Sequence, residues 1–237
     1  MTRLSVNINK VALMRNARGG NVPDVLQFAL DAERYGAQGI TVHPRPDERH
    51  IRKTDVYELS RAVTTEFNIE GYPTPDFLKM VLDVQPHQCT LVPDEPGQLT
   101  SDHGWDTIIH YDFLNGVVKQ LQDKGVRVSL FIDPDFARIE AAKKLGADRI
   151  EFYTGPFAHD FTKDKQAAVA AFTKAAQFCN QIGIGINAGH DLNLDNLRYF
   201  KHNTPGLLEV SIGHALIKDC LYFGLENTIQ LYLRELE

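Results

Sequence analysis

"RVSLFIDPDFARIEAAKKLGADRIEFY", residues 127–153, is the stretch on which the fold turns. It opens with an apolar run of strand length, 127–132. A helical pattern, "DFARIEAAKKLG", follows and stops at Gly146, where glycine marks a helix end. A second strand-like run, "DRIEFY", occupies 148–153. A strand, a short helix and another strand read as a βαβ unit with parallel strands.

The same alternation extends in both directions. Further strand candidates are "LSVNI" (4–8), "GITVH" (39–43), "FNIE" (67–70), "QCTLV" (88–92), "IGIN" (184–187) and "LLEVSI" (207–212). Helical patterns fill the gaps. "VPDVLQFALDAERYG" has Pro23 near its start and Gly36 at its end. "TDVYELSRAVTTE" offers Thr54 and Asp55 as caps, and "TPDFLKMVLDVQ" repeats that design. "YDFLNGVVKQLQDKG", the Ala-rich "KDKQAAVAAFTKAAQFCNQIG", the short "LDNLRYFKHN" and a closing "HALIKDCLYFGLENTIQLYLREL" complete the series. The strands read as apolar at nearly every position, the pattern of a sheet covered on both faces. Eight units of this kind predict a single (β/α)8 TIM barrel over 1–237, with an open doubly wound sheet as the alternative. One loop breaks the rhythm, "PDEPGQLTSDHGWD" (93–106), and has the length of a lid or binding loop.

Composition narrows the function. The formal net charge is −6, against a general nucleic-acid or membrane-surface role. The three cysteines, Cys89, Cys179 and Cys220, are dispersed and read as free thiols of a reducing compartment. "MTRLSVNINK" has no apolar signal core and no run reaches membrane-spanning length, so a cytoplasmic location is expected.

Against that acidic background, "TVHPRPDERH" (41–50) sets two His and two Arg directly after a strand. Barrels collect their chemistry at the C-terminal ends of strands. The first strand ends at Asn7, Asn9 and Lys10, followed by Arg15 and Arg18. The second supplies His43, Arg45, Arg49 and His50, and the third Glu70. The fourth leads to Thr100; the fifth ends at Asp133 and the sixth at Glu151. The seventh supplies Asn187 and His190, and the eighth Gly213 and His214. Cations around such a mouth suit a phosphorylated ligand. "NAGHD" and "SIGHA" add helix starts whose N–H groups favour phosphate. Each feature also has a bland reading. A lone strand-end His is often structural, Arg45 and Arg49 can be solvated surface charges, and Asp133 can cap the next helix. Glu151 can pair with an arginine, and "RNARGG" (15–20) can be an ordinary turn. A metal site from His43, Glu70 and His190 is the chemical rival, but no HxH or HExxH spacing supports it. No nucleotide-binding glycine motif or nucleophile elbow is present.

"NINKVALMRNARGG", "GITVHPRPDERHI", "FNIEG", "LVPDEPGQLTS", "VSLFID", "NAGHDL" and "SIGHALI" together resemble the pyridoxine 5′-phosphate synthase family. The resemblance implies a barrel with additional helices, assembled as a homo-octamer built from four dimers, without metal or organic cofactor. It implies two phosphorylated small-molecule substrates, 1-deoxy-D-xylulose 5-phosphate and 3-amino-2-oxopropyl phosphate, and no nucleic-acid or membrane partner. Carried over by position, His43 and Glu70 are proton acceptors and His190 the proton donor. Asn7, Arg45, His50 and Thr100 hold the sugar phosphate. Arg18, Gly213 and His214 hold the aminoketone phosphate, and Glu151 supports the reaction. Asn9-Lys10 stands where many members have Asp-His, and Asp191 where Gly often follows the donor His. An amide and an ammonium still bind substrate oxygens but are poor bases near neutral pH. The Asp191 N–H can still bind phosphate, provided that its carboxylate turns away or meets a cation.

Overall fold

The computed structural model describes residues 1–94 and 101–237. Its strands are β1 (Arg3–Asn7), β2 (Gly39–Val42), β3 (Glu66–Gly71), β4 (Gln88–Leu91), β5 (Arg127–Ile132), β6 (Arg149–Tyr153), β7 (Gly185–Gly189) and β8 (Leu207–Ile212). Each pairs in parallel with the next, and β8 closes on β1 with Arg3 opposite Glu209 and Val6 opposite Ile212. The sheet is therefore a closed barrel, not an open one. The described helices are α1 (Asn9–Arg18), α2 (Val25–Arg34), α3 (Lys53–Ala62), α4 (Pro75–Val84), α5 (Tyr111–Gln122), α6 (Phe136–Lys144), α7 (Gly155–Asp160), α8 (Lys165–Ile182), α9 (Leu197–Asn203), α10 (His214–Phe223) and α11 (Leu225–Glu235).

Side-chain caps start several helices. Asp24 accepts from the N–H of Gln27 at 3.0 Å, Thr74 from Phe77 at 3.2 Å and Asp135 from Arg138 at 2.9 Å. Asp164 accepts from both Gln166 and Ala167 at 3.0 Å. Each satisfies an N–H that the first helical turn leaves without a partner. Asp55 serves α3 from inside its first turn, accepting the Arg52 N–H at 2.8 Å, so Thr54 is not the cap. Asp133 does not cap α6. It accepts the Gly104 N–H at 3.1 Å and pairs with Arg138 at 3.5 Å.

Three elements differ from the sequence expectation. The expected loop after β1 is helix α1, which begins as soon as the strand ends, with the Ile8 carbonyl accepting from Val11 and Ala12. A short helix, α7, follows β6. The closing helix is two, because Gly224 takes a φ of 74° and breaks it between α10 and α11.

The expectation of strands apolar on both faces also fails. Leu4, Val6, Ile40, Val42, Ile69, Val128, Leu130, Ile150, Ile186 and Val210 are fully buried in one core with helix residues such as Val11, Ala29, Leu59 and Phe172. Each such side chain contributes roughly 1.5–3 kcal/mol of burial. The intervening positions are polar and bond across the bore. Ser5 meets Thr41 at 2.7 Å, Asn68 donates to Thr41 at 3.3 Å, and Asn187 donates to Gln88 at 3.3 Å. At the N-terminal end, Glu66 lies among Arg3, Arg127 and Arg149, with Arg149 also 3.7 Å from Glu209. Buried polar groups persist only when hydrogen-bonded or paired, which explains this dense network.

Candidate active site

Glu70 stands at the C-terminal end of the bore. Asn7 of β1 donates to its Oε2 at 3.3 Å and Ser211 of β8 to its Oε1 at 3.5 Å, so three strands converge on one carboxyl. Burial, then the neighbouring Asp94 carboxylate, push its pKa up to about 8; the Ser211 bond and Arg45 oppose this. Glu151 is shifted the same way by burial, by Glu70 and by Glu209. Among the described residues its Oε2 has no hydrogen-bond partner. A Cβ on Gly189 would lie 2.6 Å from Glu151 Oε1 and 2.8 Å from the Ser211 carbonyl. Only glycine lets the β7 backbone pass so close to that carboxyl.

His43 and His50 form the second cluster, with ring centroids 6.2 Å apart. Burial, then the charges of Arg45, His50 and Arg49, hold the His43 pKa well below its usual value. It is a neutral imidazole at neutral pH. His50 is lowered to about 4 by burial, Arg45, Arg49 and Lys10. Its Nδ1 accepts the Ile51 N–H at 2.9 Å, which leaves the proton of the neutral ring on Nε2. The loop carrying His50 is tied down by α1. Asn16 Nδ2 donates to the His50 carbonyl at 2.7 Å and Arg15 Nη2 at 3.1 Å. Arg15 is buried and bidentate to Asp55, at 2.6 and 2.8 Å. Its charge is therefore committed inside the protein and not offered to phosphate.

The third cluster follows β6 and β7. His190 Nδ1 lies 3.0 Å from Asp191 Oδ2, and its ring meets Tyr153 edge-on at 5.3 Å. Thr154 Oγ1 donates to the Gly189 carbonyl at 2.5 Å and also to that of His190. Asp191 is held below the usual carboxylate range by the bond from His190, with the charge of His214 adding to the effect. Its carboxylate is turned to the His190 ring.

The remaining candidates distribute as follows. Asn9 Oδ1 accepts the His43 N–H at 2.9 Å and so links α1 to the end of β2. Lys10 lies close enough for its charge to act on His50. Gly213 approaches Asn7, whose side chain a Cβ would meet at 3.2 Å. Arg45 is buried and paired with Asp94. Arg18 is exposed in the last turn of α1, and no contact among the described residues joins it to the clusters. Thr100 lies outside the described residues. Among the described residues no group of three or more His, Cys, Asp or Glu has metal-binding geometry.

The family model described as "Pyridoxal phosphate biosynthesis protein PdxJ" matches residues 4–237. The chain belongs to the PdxJ family. It is 62% identical to a pyridoxine 5′-phosphate synthase of Bacteroides fragilis over 232 residues, 98% of each chain. A synthase of the same name from Cytophaga hutchinsonii is 60% identical over 237 residues, all of both chains. Among solved structures, a phosphoribosylanthranilate isomerase of Thermotoga maritima superposes with a TM-score of 0.61 at 13% identity, covering 100% of this chain and 98% of that one. A 4-hydroxy-2-oxoglutarate aldolase gives 0.65 at 16%, covering 99% and 94%. At such identities these two show the fold alone.

Four residues of this PdxJ chain that shape the clusters escape strand-end reading: Asp94, Tyr153, Thr154 and Ser211. Strand alternation could have found Ser211, which shares a face with Glu209 one pleat below. Asp94 and Thr154 act from loop positions whose partners are distant in sequence, and no periodic signal marks them.

Proposed function

We infer that this chain is a pyridoxine 5′-phosphate synthase. It joins 1-deoxy-D-xylulose 5-phosphate to 3-amino-2-oxopropyl phosphate, forming pyridoxine 5′-phosphate, inorganic phosphate and water. The observation that carries this reading is near-full-length identity with synthases of that name at about 60%. The substrate amine attacks the sugar's ketone and water leaves, giving an imine. Proton removal gives an enamine and expels the sugar's phosphate. Water adds to the resulting alkene, and carbon–carbon closure with dehydration yields the aromatic ring.

The chemistry is a series of proton transfers between groups held near each other. His43, neutral and buried, takes protons. Glu70, whose pKa stands near 8, gives its proton first and accepts in the next step. His190 is the donor, its ring oriented by Asp191 through Nδ1. Asn7, Arg45, His50 and Thr100 hold the sugar phosphate, His50 through its Nε2–H, with Asn9 and Lys10 beside them. Arg18, Gly213, His214 and the Asp191 N–H hold the aminoketone phosphate, and Glu151 supports the reaction from the bore. Holding both substrates in one mouth removes much of the entropic barrier to condensation. We also propose that the chain works in the cytoplasm as a homo-octamer, a tetramer of dimers, with neither metal nor organic cofactor. Exposed Leu221, Tyr222 and Phe223 at the end of α10 offer apolar surface for assembly. Among the described residues no helix is long and apolar enough to cross a membrane.

Mixing the purified chain with both substrates tests the activity directly. Pyridoxine phosphate absorbance and equimolar free phosphate are expected. Free phosphate without the aromatic product would contradict the ring-closing assignment.

A further inference from the structure

Thr154 joins β6 to α7 and is fully buried. It stands at the N-cap of α7, where a threonine hydroxyl ordinarily serves the helix. Here it makes no side-chain cap. Its Oγ1 turns instead to the end of β7, 35 and 36 residues on, and shares its proton between the carbonyls of Gly189, at 2.5 Å, and His190. The Thr154 N–H donates to the same Gly189 carbonyl at 3.2 Å. These two carbonyls flank the His190 Cα, where φ is 74°, a backbone that histidine seldom adopts. Rotation at that residue swings them apart, so the hydroxyl meets both only in this backbone.

We propose that Thr154 is a positioning residue for the His190 imidazole, its hydroxyl holding the turn that sets the ring at the barrel mouth. This rests on the synthase reading, in which His190 is the proton donor. Other contacts do a different job. Asp191 meets the ring at Nδ1 but follows His190 in the chain and moves with it. Asn193 and Asn196 hold the carbonyl of Asp191, each at 3.3 Å, on the far side of the turn. Thr154 ties the carbonyls on either side of His190 itself to the neighbouring strand. A misplacement of about 1 Å costs on the order of 10² in rate, so loss of this anchor reaches the chemistry without any contact to substrate. The same turn presents the Asp191 N–H to the aminoketone phosphate, so its displacement weakens that substrate and spares the sugar phosphate.

Steady-state kinetics on a double-variant cycle test this. Thr154→Val keeps the shape and removes the hydroxyl, and Thr154→Ala does the same in case the valine variant does not fold. Turnover is expected to fall about tenfold or more, with KM raised for 3-amino-2-oxopropyl phosphate and kept within about twofold for 1-deoxy-D-xylulose 5-phosphate. Thr154→Ser keeps the hydroxyl and should restore turnover to within about threefold of the unaltered protein. In a His190→Asn background, Thr154→Val should lower turnover no further, because a group that acts through His190 has nothing left to place. The same fractional loss in both backgrounds would overturn the proposal and leave the hydroxyl a stabiliser of the fold. So would unchanged turnover in a folded Thr154→Val, or a serine variant no more active than the valine one. Unaltered turnover in His190→Asn alone, or none in the unaltered protein, would instead overturn the synthase reading beneath it.

Discussion

His190 and Asp191 are adjacent residues that both hold a left-handed backbone, with φ of 74° and 58°, and their side chains meet at 3.0 Å. Such backbone costs about 1 kcal/mol or more for each non-glycine residue. The turn is retained because Thr154 fastens its carbonyls. The carboxylate orients the imidazole through Nδ1. Asp191→Asn keeps the shape and removes the charge. Turnover should fall about tenfold while KM for either substrate stays within about twofold. A raised KM with unchanged turnover would mark Asp191 as a ligand-binding group instead.

His43→Ala, Glu70→Gln and His190→Asn should each lower turnover by about 10² or more, the scale of a lost general acid or base. Circular dichroism should show intact folds. Glu70→Gln should also flatten the fall in stability between about pH 4.5 and pH 8, where the folded wild type keeps a proton that the unfolded chain has lost. Wild-type turnover in any of the three would remove that residue from its assigned role.

The buried Arg15–Asp55 pair links α1 to α3 beneath the His50 loop. Arg15→Met leaves Asp55 buried without its cation and should cost ~3 kcal/mol or more in urea unfolding. It also takes one donor from the His50 carbonyl, so sugar-phosphate affinity should fall with it. An unchanged unfolding midpoint would show that the pair adds nothing to the fold.

His50 predicts a pH dependence of stability. Unfolded, it takes a proton near pH 6.5; folded, only near 4. Between those values the unfolded state binds more protons, so this contribution is complete above about 6.5 and is lost as pH falls toward 4. Relative to His50→Gln, the wild type should lose about 2 kcal/mol between pH 7 and pH 5. Parallel stability curves for the two proteins would contradict the lowered pKa.

Much of this molecule was legible one residue at a time. Apolar runs, capping Asp and Thr residues and glycine stops are local signals, and the eight strands fall within two residues of the expected bounds. Helix α1 was not legible as a helix, because its Arg and Asn residues read as a charged loop. The polar lining was hidden for a related reason. Ser5, Asn68, Thr90 and Ser129 sit between strongly apolar neighbours that dominate a short window. Their alternation acquires meaning only when the sheet closes and gives those positions one shared interior.

The amino-acid sequence by itself determined the order of the units, the parallel barrel and the strand ends where chemistry gathers, because these follow from backbone periodicity and from motifs read in order. Tertiary structure alone decided the state and partner of each group. Arg15 turned inward to Asp55, Arg45 met Asp94, Asp191 met His190, and Glu70 was driven toward its neutral form. The physical reason is that burial and Coulomb interactions depend on distance in space, and closing the barrel set those distances between residues far apart in the chain.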